Sequence, residues 1–263
     1  DIVRPYYKTP SSKKLKEKFN TYKFLSPNSF VIFPYKKVNG KVDVILEPEL
    51  RKNFPLTHSY FKYYEKEIKT RDVSPPINND DWFKFGRSQH LDSWVADEKI
   101  VVGVLSTGEK YPIDKRKTIV SSGGTAGYCI IAIPDNFDYS IYYIQAILNS
   151  KYLEWFSALY GEVFRGGYIA RGTKVLKNLP IRKIDFSDTK QKALHDKIVE
   201  TQKELISIYD QIDANAGNKR ALTPLQGQFV REKANLEKLL AKLYDLGSED
   251  SLIPLIKELY EAN

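Results

Sequence analysis

The chain has 263 residues, of which 42% are hydrophobic and 13% aromatic, so it can bury a sizeable core and is not a disordered segment. Its formal net charge of +8 favours an anionic partner, and nucleic acid is the first candidate. The single cysteine, Cys129, excludes an internal disulfide. One cysteine with three histidines also argues against a structural zinc site.

The sequence contains no long apolar run and no recognisable signal peptide, which predicts a cytoplasmic protein without membrane contact. Because the chain has no methionine and begins with Asp1, we expect it to be a piece of a longer polypeptide. We therefore allow for domains outside this sequence when we assign a function.

The first elements are a basic run and a hairpin. Residues 1–23 contain seven basic and two acidic side chains, which is typical either of a solvated face or of a linker that contacts phosphates. Two runs rich in β-branched and aromatic residues then flank Asn39-Gly40, a strong hairpin signal. They predict paired strands at residues 29–35 and 41–47.

A helix and three strand-like runs follow. Residues 54–72 predict a helix that ends before a proline-rich breaker and turns four side chains towards the core: Tyr60, Phe61, Tyr64 and Ile68. Runs rich in Val and Ile lie within residues 99–106, 117–124 and 128–134. Helices and strands are interleaved without a regular βαβ rhythm, so the predicted fold class is α+β with a mixed sheet.

A further helix is predicted from Ile141, because apolar residues at three- and four-residue spacings form one stripe that ends near Gly161. The stripe consists of Ile144, Ile147, Leu148, Tyr152 and Trp155. A loop at residues 163–174 follows, with glycine, arginine and tyrosine. Such a loop can approach a phosphate backbone and base edges, and the alternative is a surface loop whose arginines are solvated.

Two apolar seams after residue 187 predict an antiparallel helical hairpin with a break at residues 215–224. Gly247 is expected to end the second helix, and Ser251 to cap a third. We therefore divide the chain into a mixed-sheet domain at residues 1–185 and a helical spacer or dimerisation arm at residues 186–263. The seams comprise Leu194, Ile198, Thr201, Leu205, Ile208 and Ile212, then Leu225, Phe229, Leu236, Leu240 and Leu243.

Catalytic motifs are not evident. The sequence has no GxSxG, HExxH, P-loop or strand-linked GxGxxG pattern, and Gly123-Gly124 favours a turn. A nuclease site that binds Mg²⁺ could be assembled from Asp43, Glu67 and Lys69, because paired carboxylates with a lysine hold Mg²⁺ in such sites. Acid-x-Lys triplets are common by chance in so charged a chain, so we rank this hypothesis third.

Side chains suited to nucleic acid are numerous. Arginine makes bidentate contacts to guanine or phosphate, glutamine can recognise adenine, and tyrosine can stack or donate to phosphate. Three arginines adjoin Gly86, Gly166 and Gly172, where a partner can approach the backbone closely. The polar loop at residues 106–117 adds cations. The candidate DNA-binding residues are Arg87, Gln89, Lys110, Lys115, Arg116, Lys117, Tyr128, Arg165, Tyr168, Arg171 and Lys174.

Seven segments, in order along the chain, resemble the C-terminal specificity domain of TaqI-like and Eco57I-like N6-adenine DNA methyltransferases. They are IVRPYYKT, VIFPYK, FPLTHSYFKYYEKEIKTRD, DWFKFGRSQHLDSWVADEKIVV, ILNSKYLEWF, LPI and LEKLLAKLYDLGSEDSLIPLI. The last is similar to a helical ending with a Leu-Tyr-Gly-Leu signature that such enzymes share with type I specificity subunits. Asp245 stands at the position of its glycine.

The resemblance implies that the chain recognises a sequence in double-stranded DNA, as part of a bacterial or archaeal type II or IIG restriction–modification enzyme. In that family an N-terminal domain of the same polypeptide binds S-adenosylmethionine and carries an Asn-Pro-Pro-aromatic motif, which Ser74-Pro75-Pro76-Ile77 does not match. We therefore expect no catalytic residue, metal or cofactor in this chain. A flipped adenine requires a second domain to hold the duplex in register.

The leading alternative is an assembly module of a type I-like restriction–modification complex. In that case the helical hairpin would dock methylase subunits, whereas a dimerisation arm would contact a second copy of the chain. The two hypotheses differ in whether a methylase domain precedes this sequence in the same polypeptide.

Overall fold

In the computed structural model, the described residues are 2–8, 21–87, 91–106, 111–120, 127–134, 136–164 and 168–246. They form two compact units, which are described separately. The first unit comprises Asp1–Lys8, Ser26–Asp97 and Lys115–Ser121, and the second comprises Thr9–Leu25, Glu98–Asp114 and Ser122–Asn263.

The first unit contains a three-stranded mixed sheet and a separate hairpin. Strand β1 (Val3–Tyr7) is central, with β2 (Ser29–Ile32) antiparallel on one side and β8 (Ile119–Val120) parallel on the other. Strands β3 (Tyr35–Val38) and β4 (Lys41–Val44) form the hairpin. The predicted mixed-sheet α+β class is therefore confirmed.

The turn of the hairpin is confirmed, but its predicted strand bounds are wrong. Asn39 and Gly40 have φ of 49° and 82°, the left-handed conformation that a tight two-residue turn requires. The first strand starts at Tyr35, because residues 29–32 pair with β1 instead. The second ends at Val44, because Glu47 already begins a helix with proline in its first turn.

Helices α1 (Glu47–Asn53), α2 (Pro55–Tyr63), α3 (Glu65–Lys69) and α4 (Leu91–Trp94) complete the first unit. The predicted helix at residues 54–72 is thus two helices that meet at Tyr64. Of the four side chains predicted to face the core, Phe61 is buried against Leu50, Trp82 and Phe83, whereas Tyr60 is 53% exposed.

Two three-stranded sheets lie in the second unit. In one, β5 (Lys99–Gly103) is central between β7 (Ile113–Asp114) and β9 (Tyr128–Ile131), and all pairs are antiparallel. In the other, β11 (Tyr168–Ala170) is central between β10 (Val163–Phe164) and β6 (Leu105–Ser106). Every residue of β5 is buried, which the Ile and Val of the strand predict and its first residue, Lys99, does not.

A buried ion pair links β5 to β7. Lys99 and Asp114 are register partners, and Lys99 Nζ lies 2.7 Å from Asp114 Oδ2. Both side chains are 0% exposed. Burying two charges is costly unless they are paired, so this register is strongly specified.

The predicted helix that starts at Ile141 is divided into α5 (Ile141–Leu148) and α6 (Lys151–Tyr160). The apolar stripe continues across the division, but Ser150 starts a new helix there. Its hydroxyl accepts a hydrogen bond from the backbone N–H of Leu153 at 3.1 Å, as an N-cap does. Side-chain capping therefore overrides an otherwise continuous helical pattern.

The C-terminal helical hairpin is confirmed as α8 (Thr189–Ala214) and α9 (Lys219–Leu243), which pack against each other. Pro224 lies inside α9 and not in the predicted break, because Asn218 caps the helix earlier. The predicted third helix lies outside the described residues. Among the described helices, none is both long and apolar enough to cross a membrane.

The hairpin is integrated into the second unit. Helix α8 packs on α5, and Tyr22, from the segment of the second unit that lies between β1 and β2 in sequence, contacts Tyr209 and Phe229 with its ring. The compact units thus divide the chain differently from the boundary expected after residue 185. That the hairpin acts as a spacer or dimerisation arm stays a prediction.

Helix α9 ends in a Schellman motif centred on Asp245. Asp245 has φ of 53°, and the backbone N–H of Leu246 donates to Ala241 while that of Asp245 donates to Lys242. The left-handed conformation is unfavourable for residues with a Cβ atom and easy for glycine. This explains why glycine suits the position that Asp245 occupies.

We therefore expect Asp245→Gly to raise the free energy of unfolding by about 0.5–1 kcal/mol and Asp245→Ala to lower it. The contact of Asp245 with Arg182, at 3.8 Å between exposed side chains, is too weak to offset the gain. Urea denaturation of the three proteins tests this. Equal stability of the glycine and alanine variants would contradict it.

Candidate nucleic-acid interface

The β10–β11 hairpin presents an exposed aromatic pair. Phe164 and Tyr168 are cross-strand partners, so their side chains lie on the same face, and each is 39% exposed. Val163, on the other face, is also exposed, whereas its partner Ile169 is buried. Tyr168 is thus accessible as predicted, and Phe164 is a neighbour that the sequence analysis missed. Arg165 lies outside the described residues.

The hairpin is held tightly at its base. At Gly161, a Cβ atom would lie 2.7 Å from Ile169 Cγ2 and 2.8 Å from the carbonyl oxygen of Ala170, closer than atoms can approach. Only glycine therefore allows the end of α6 to pack against β11. On its other edge β11 pairs with β6. The strand that carries Tyr168 is therefore packed against the end of α6 and paired with β6.

A short helix, α7 (Thr173–Leu176), follows β11 and presents Lys174 to solvent. Its start lies near β9, where Thr173 Oγ1 is 3.8 Å from Cys129 Sγ. Tyr128, the first residue of β9, is half-buried. Three predicted site residues, Tyr128, Tyr168 and Lys174, therefore lie on neighbouring elements of the second unit.

Arg171 does not belong to this surface, which corrects its predicted role. Its side chain is 1% exposed; Nη1 donates to Tyr111 Oη at 2.9 Å and Nη2 to Glu154 Oε1 at 2.5 Å. Burial alone would lower the pKa of Arg171, but the oxygens of Tyr111 and Glu154 outweigh it and raise the pKa. The guanidinium is a structural cation inside the unit.

The first unit carries the other described candidates. Arg87 Nη2 lies 3.2 Å from Asp72 Oδ2, and Lys117 Nζ lies 2.6 Å from Asp97 Oδ1. These are exposed pairs, which contribute little and can be exchanged for a phosphate. Lys115 and Arg116 are exposed beside Lys117. Gln89 and Lys110 lie outside the described residues.

The glycines beside the predicted arginines have different environments. A Cβ atom at Gly86 would lie 3.0 Å from the carbonyl oxygen of Asp72, so the close approach there is within the chain itself. At Gly172 it would only touch Val104, at 3.9 Å. Gly166 lies outside the described residues. A glycine next to an arginine is therefore not, by itself, evidence for a contact with a partner.

An aromatic cavity of about 360 Å³ in the first unit contains none of the predicted site residues. Tyr60 and Tyr64 line it together with Phe85, and Arg71 lies at its wall. The Arg71 guanidinium is anchored by the carbonyl oxygens of Ile68 and Lys84. The cavity explains why Tyr60 and Tyr64 are exposed although the helical pattern turned them towards the core.

Glu47 organises a polar cluster of the first unit that the sequence analysis did not identify. Its carboxylate accepts hydrogen bonds from Trp82 Nε1 at 2.7 Å, His58 Nε2 at 3.0 Å and Lys62 Nζ at 3.1 Å. Burial alone would raise the pKa of Glu47, but the hydrogen bonds from these three partners outweigh burial and lower the pKa to about 2. The three partners are 11, 15 and 35 positions away, so spacing gives no signal.

Glu47→Gln is expected to lower the free energy of unfolding by about 1–3 kcal/mol at pH 7. Because the folded pKa of Glu47 lies below the ordinary value of 4.5, its contribution is complete above pH 4.5 and is lost as pH falls through about 2. Urea denaturation of the parent and the variant at pH 7 measures the loss of stability, and the same experiment at low pH shows whether the difference disappears. A variant as stable as the parent at pH 7 would contradict the assignment.

The third-ranked nuclease hypothesis has no geometric support in the described residues. Lys69 is bound to Glu65 at 2.5 Å, and Asp43 Oδ1 accepts from the backbone N–H of Val44. Within those residues, no group of three or more His, Cys, Asp or Glu side chains is placed to hold a metal ion.

A family model for the TaqI-like C-terminal specificity domain matches residues 21–181. The chain belongs to this family. The predicted resemblance is therefore confirmed. The matched region ends at Ile181, before the helical hairpin, and includes the β10–β11 hairpin and α7.

A curated relative of this family member is the type II restriction enzyme and methyltransferase Eco57I of Escherichia coli. The two are 45% identical over 264 residues, and the match covers 99% of this chain. It covers 26% of the relative, so the chain spans about a quarter of that protein's length. The helical hairpin, outside the family model, lies within this match.

The segments that carried the resemblance have structural roles in this member of the specificity-domain family. The ILNSK segment forms the junction of α5 and α6, where Asn149 Oδ1 accepts from the Thr21 hydroxyl at 2.8 Å. The Lys-Ile strand is β5, with its buried Lys99. In the LPI segment, the carbonyl oxygen of Pro180 accepts from Tyr244 Oη at 2.7 Å. These motifs therefore maintain the fold.

Proposed function

We propose that this chain is the DNA target-recognition part of an N6-adenine DNA methyltransferase or restriction–modification enzyme. It would hold double-stranded DNA in register for a catalytic domain elsewhere in the same polypeptide. S-adenosylmethionine would be bound by that domain, and this chain would supply no catalytic residue. The proposal rests on membership of a specificity-domain family and on the relative, whose name describes a restriction enzyme and methyltransferase.

The observation that carries the proposal is the β10–β11 strand pair with exposed Phe164 and Tyr168, followed by exposed Lys174. Aromatic rings can pack against sugars or unstacked bases, and a lysine can neutralise a phosphate. The chain's net charge of +8 favours the same partner. The surface of Lys115, Arg116 and Lys117 in the first unit would supply further phosphate contacts.

Lys174→Gln is expected to weaken binding to duplexes of all sequences by a similar factor. Because one phosphate contact is lost, the slope of log K against log salt should become shallower by about 0.9. The measurement is fluorescence anisotropy of labelled duplexes across a salt series. Lys238→Gln, the same charge change on exposed α9, is the control and should leave the slope unchanged.

Equal slopes for the Lys174 and Lys238 variants would remove Lys174 from the interface. Failure of the parent chain to bind any duplex, even at low salt, would overturn the proposed function itself. In that event the assembly-module hypothesis becomes the better explanation of the helical hairpin.

A further inference from the structure

A network of buried hydrogen bonds in the second unit connects α5 to α8. Gln145 of α5 is 0% exposed, and its Nε2 donates to the carbonyl oxygens of Thr21 and Tyr111, both at 2.8 Å. Both N–H groups are then used, so Oε1 must face a donor. Gln202 of α8, also 0% exposed, supplies it through Nε2 at 2.9 Å.

A second set of hydrogen bonds connects Tyr111 to Arg171, the residue that follows β11. Tyr111 Oη accepts from Arg171 Nη1 at 2.9 Å, and Arg171 Nη2 binds Glu154 of α6. The backbone N–H of Arg171 donates to the carbonyl oxygen of Val104 at 2.6 Å. Tyr111 therefore joins two sets of hydrogen bonds, one at its backbone carbonyl oxygen and one at its hydroxyl, and through its side chain they link α8 to the residue that follows β11.

Arg171 connects this network to the candidate interface, because it lies between β11 and α7 in sequence. Arg171 comes directly after Ala170, the last residue of β11, and directly before Gly172, which caps α7. Tyr168 is the first residue of β11, and Lys174 is the second residue of α7. A shift of the Arg171 backbone would therefore act directly on the end of the strand that carries Tyr168 and on the start of the helix that carries Lys174.

A buried polar network of this kind is not needed for stability alone. Buried polar groups must be satisfied at each member, and apolar side chains of the same shape often stabilise as well or better. Among the described residues, Gln202 Oε1 and Glu154 Oε2 have no hydrogen-bond partner, so the network is held by the donors of Gln145, Gln202 and Arg171. These bonds favour one arrangement, because a shift of these side chains would leave further buried donors and acceptors unpaired. Its physical effect is thus to fix the β11–α7 junction relative to α8.

We propose that Gln202, Gln145 and Arg171 are positioning residues that fix the β11–α7 junction, so that α8 contributes to the sequence discrimination of the interface. This inference rests on the proposed function, since discrimination between DNA sequences is its functional readout. It gives the helical hairpin a role beyond that of a spacer or dimerisation arm.

The test is Gln202→Met, which keeps the volume of the side chain and removes the hydrogen bond to Gln145. Thr201→Val is the matched control, because Thr201 is also buried on α8 but its hydroxyl donates within its own helix, to the carbonyl oxygen of Lys197. Hydrogen exchange of the free proteins should show protection at Ala170 and Arg171 falling about tenfold in Gln202→Met relative to Thr201→Val. Duplex discrimination should fall while the salt slope stays unchanged, since no phosphate contact is lost.

Loss of protection confined to α8 and α5 would overturn the inference, because the network would not extend its effect to the junction. A shallower salt slope in Gln202→Met would overturn it too, because α8 would then act through a phosphate contact. If no protein in the set binds a duplex, the proposed function fails. Hydrogen exchange at the junction still decides the structural part of the inference.

Discussion

Replacing Asp114 by Leu alone is expected to lower the free energy of unfolding by about 3–5 kcal/mol, because the buried charge of Lys99 would lose this carboxylate as its ion-pair partner. Both side chains are 0% exposed, and the pair lies between register partners of β5 and β7. Loss of the partner therefore cannot be compensated by water without opening the sheet. Urea denaturation monitored by circular dichroism measures the change.

The double variant Lys99→Met with Asp114→Leu separates the cost of burying the Lys99 charge without Asp114 from the contribution of the ion pair to stability. Because both charges are removed, it should recover most of the stability lost by the single variant, and can equal the parent. A double variant that is no more stable than Asp114→Leu would contradict this, and would mean that the ion pair itself stabilises the sheet.

Arg171→Ala is expected to lower the free energy of unfolding by about 3–5 kcal/mol, because it removes the buried partner of Glu154 and leaves a cavity beside Tyr111. The comparison is Arg87→Ala, in which an exposed arginine leaves an exposed Asp72. That substitution should change stability by less than about 0.5 kcal/mol. Thermal and urea denaturation of both variants provide the measurement.

Equal stabilities of the Arg171 and Arg87 variants would contradict the structural role of Arg171. In DNA-binding assays at a temperature where both are folded, Arg87→Ala should make the salt slope shallower if Arg87 contacts a phosphate. Arg171→Ala should change affinity without changing that slope, since its guanidinium faces Tyr111 and Glu154 and not solvent.

The parts of the fold that depend on near neighbours in sequence could be predicted. The Asn39-Gly40 turn requires a left-handed backbone that these two residues adopt readily, and it is found. The two long apolar seams became α8 and α9 because packing of one helical face against another needs only the right spacing. Fold class followed from the same local patterns.

Element boundaries were less predictable, because they depend on capping and on distant pairing. Ser150 divides one apolar stripe into α5 and α6 through its own hydroxyl. Residues 29–32 resemble half of a hairpin but pair with β1, which sequence spacing does not indicate. Strand β8 then pairs with β1 from more than a hundred positions away.

The candidate interface shows the same division. Tyr168 and Lys174 are exposed as predicted, and both belong to the glycine-containing loop predicted at residues 163–174. Arg171, in the same loop, is buried because its partners Tyr111 and Glu154 lie 60 and 17 positions away. Phe164 was missed, although its position and that of Tyr168, each two residues from Gly166, could have indicated a cross-strand pair.

The most direct test of the central claim is selection of bound duplexes from a random pool by the chain, followed by affinity measurements across a salt series. Our account predicts enrichment of a short motif, with preference for that motif over unrelated duplexes persisting as salt rises and non-specific binding weakens. Binding without enrichment of any motif would contradict a recognition role for this chain. No binding even at low salt would contradict it as well, and would favour the assembly module.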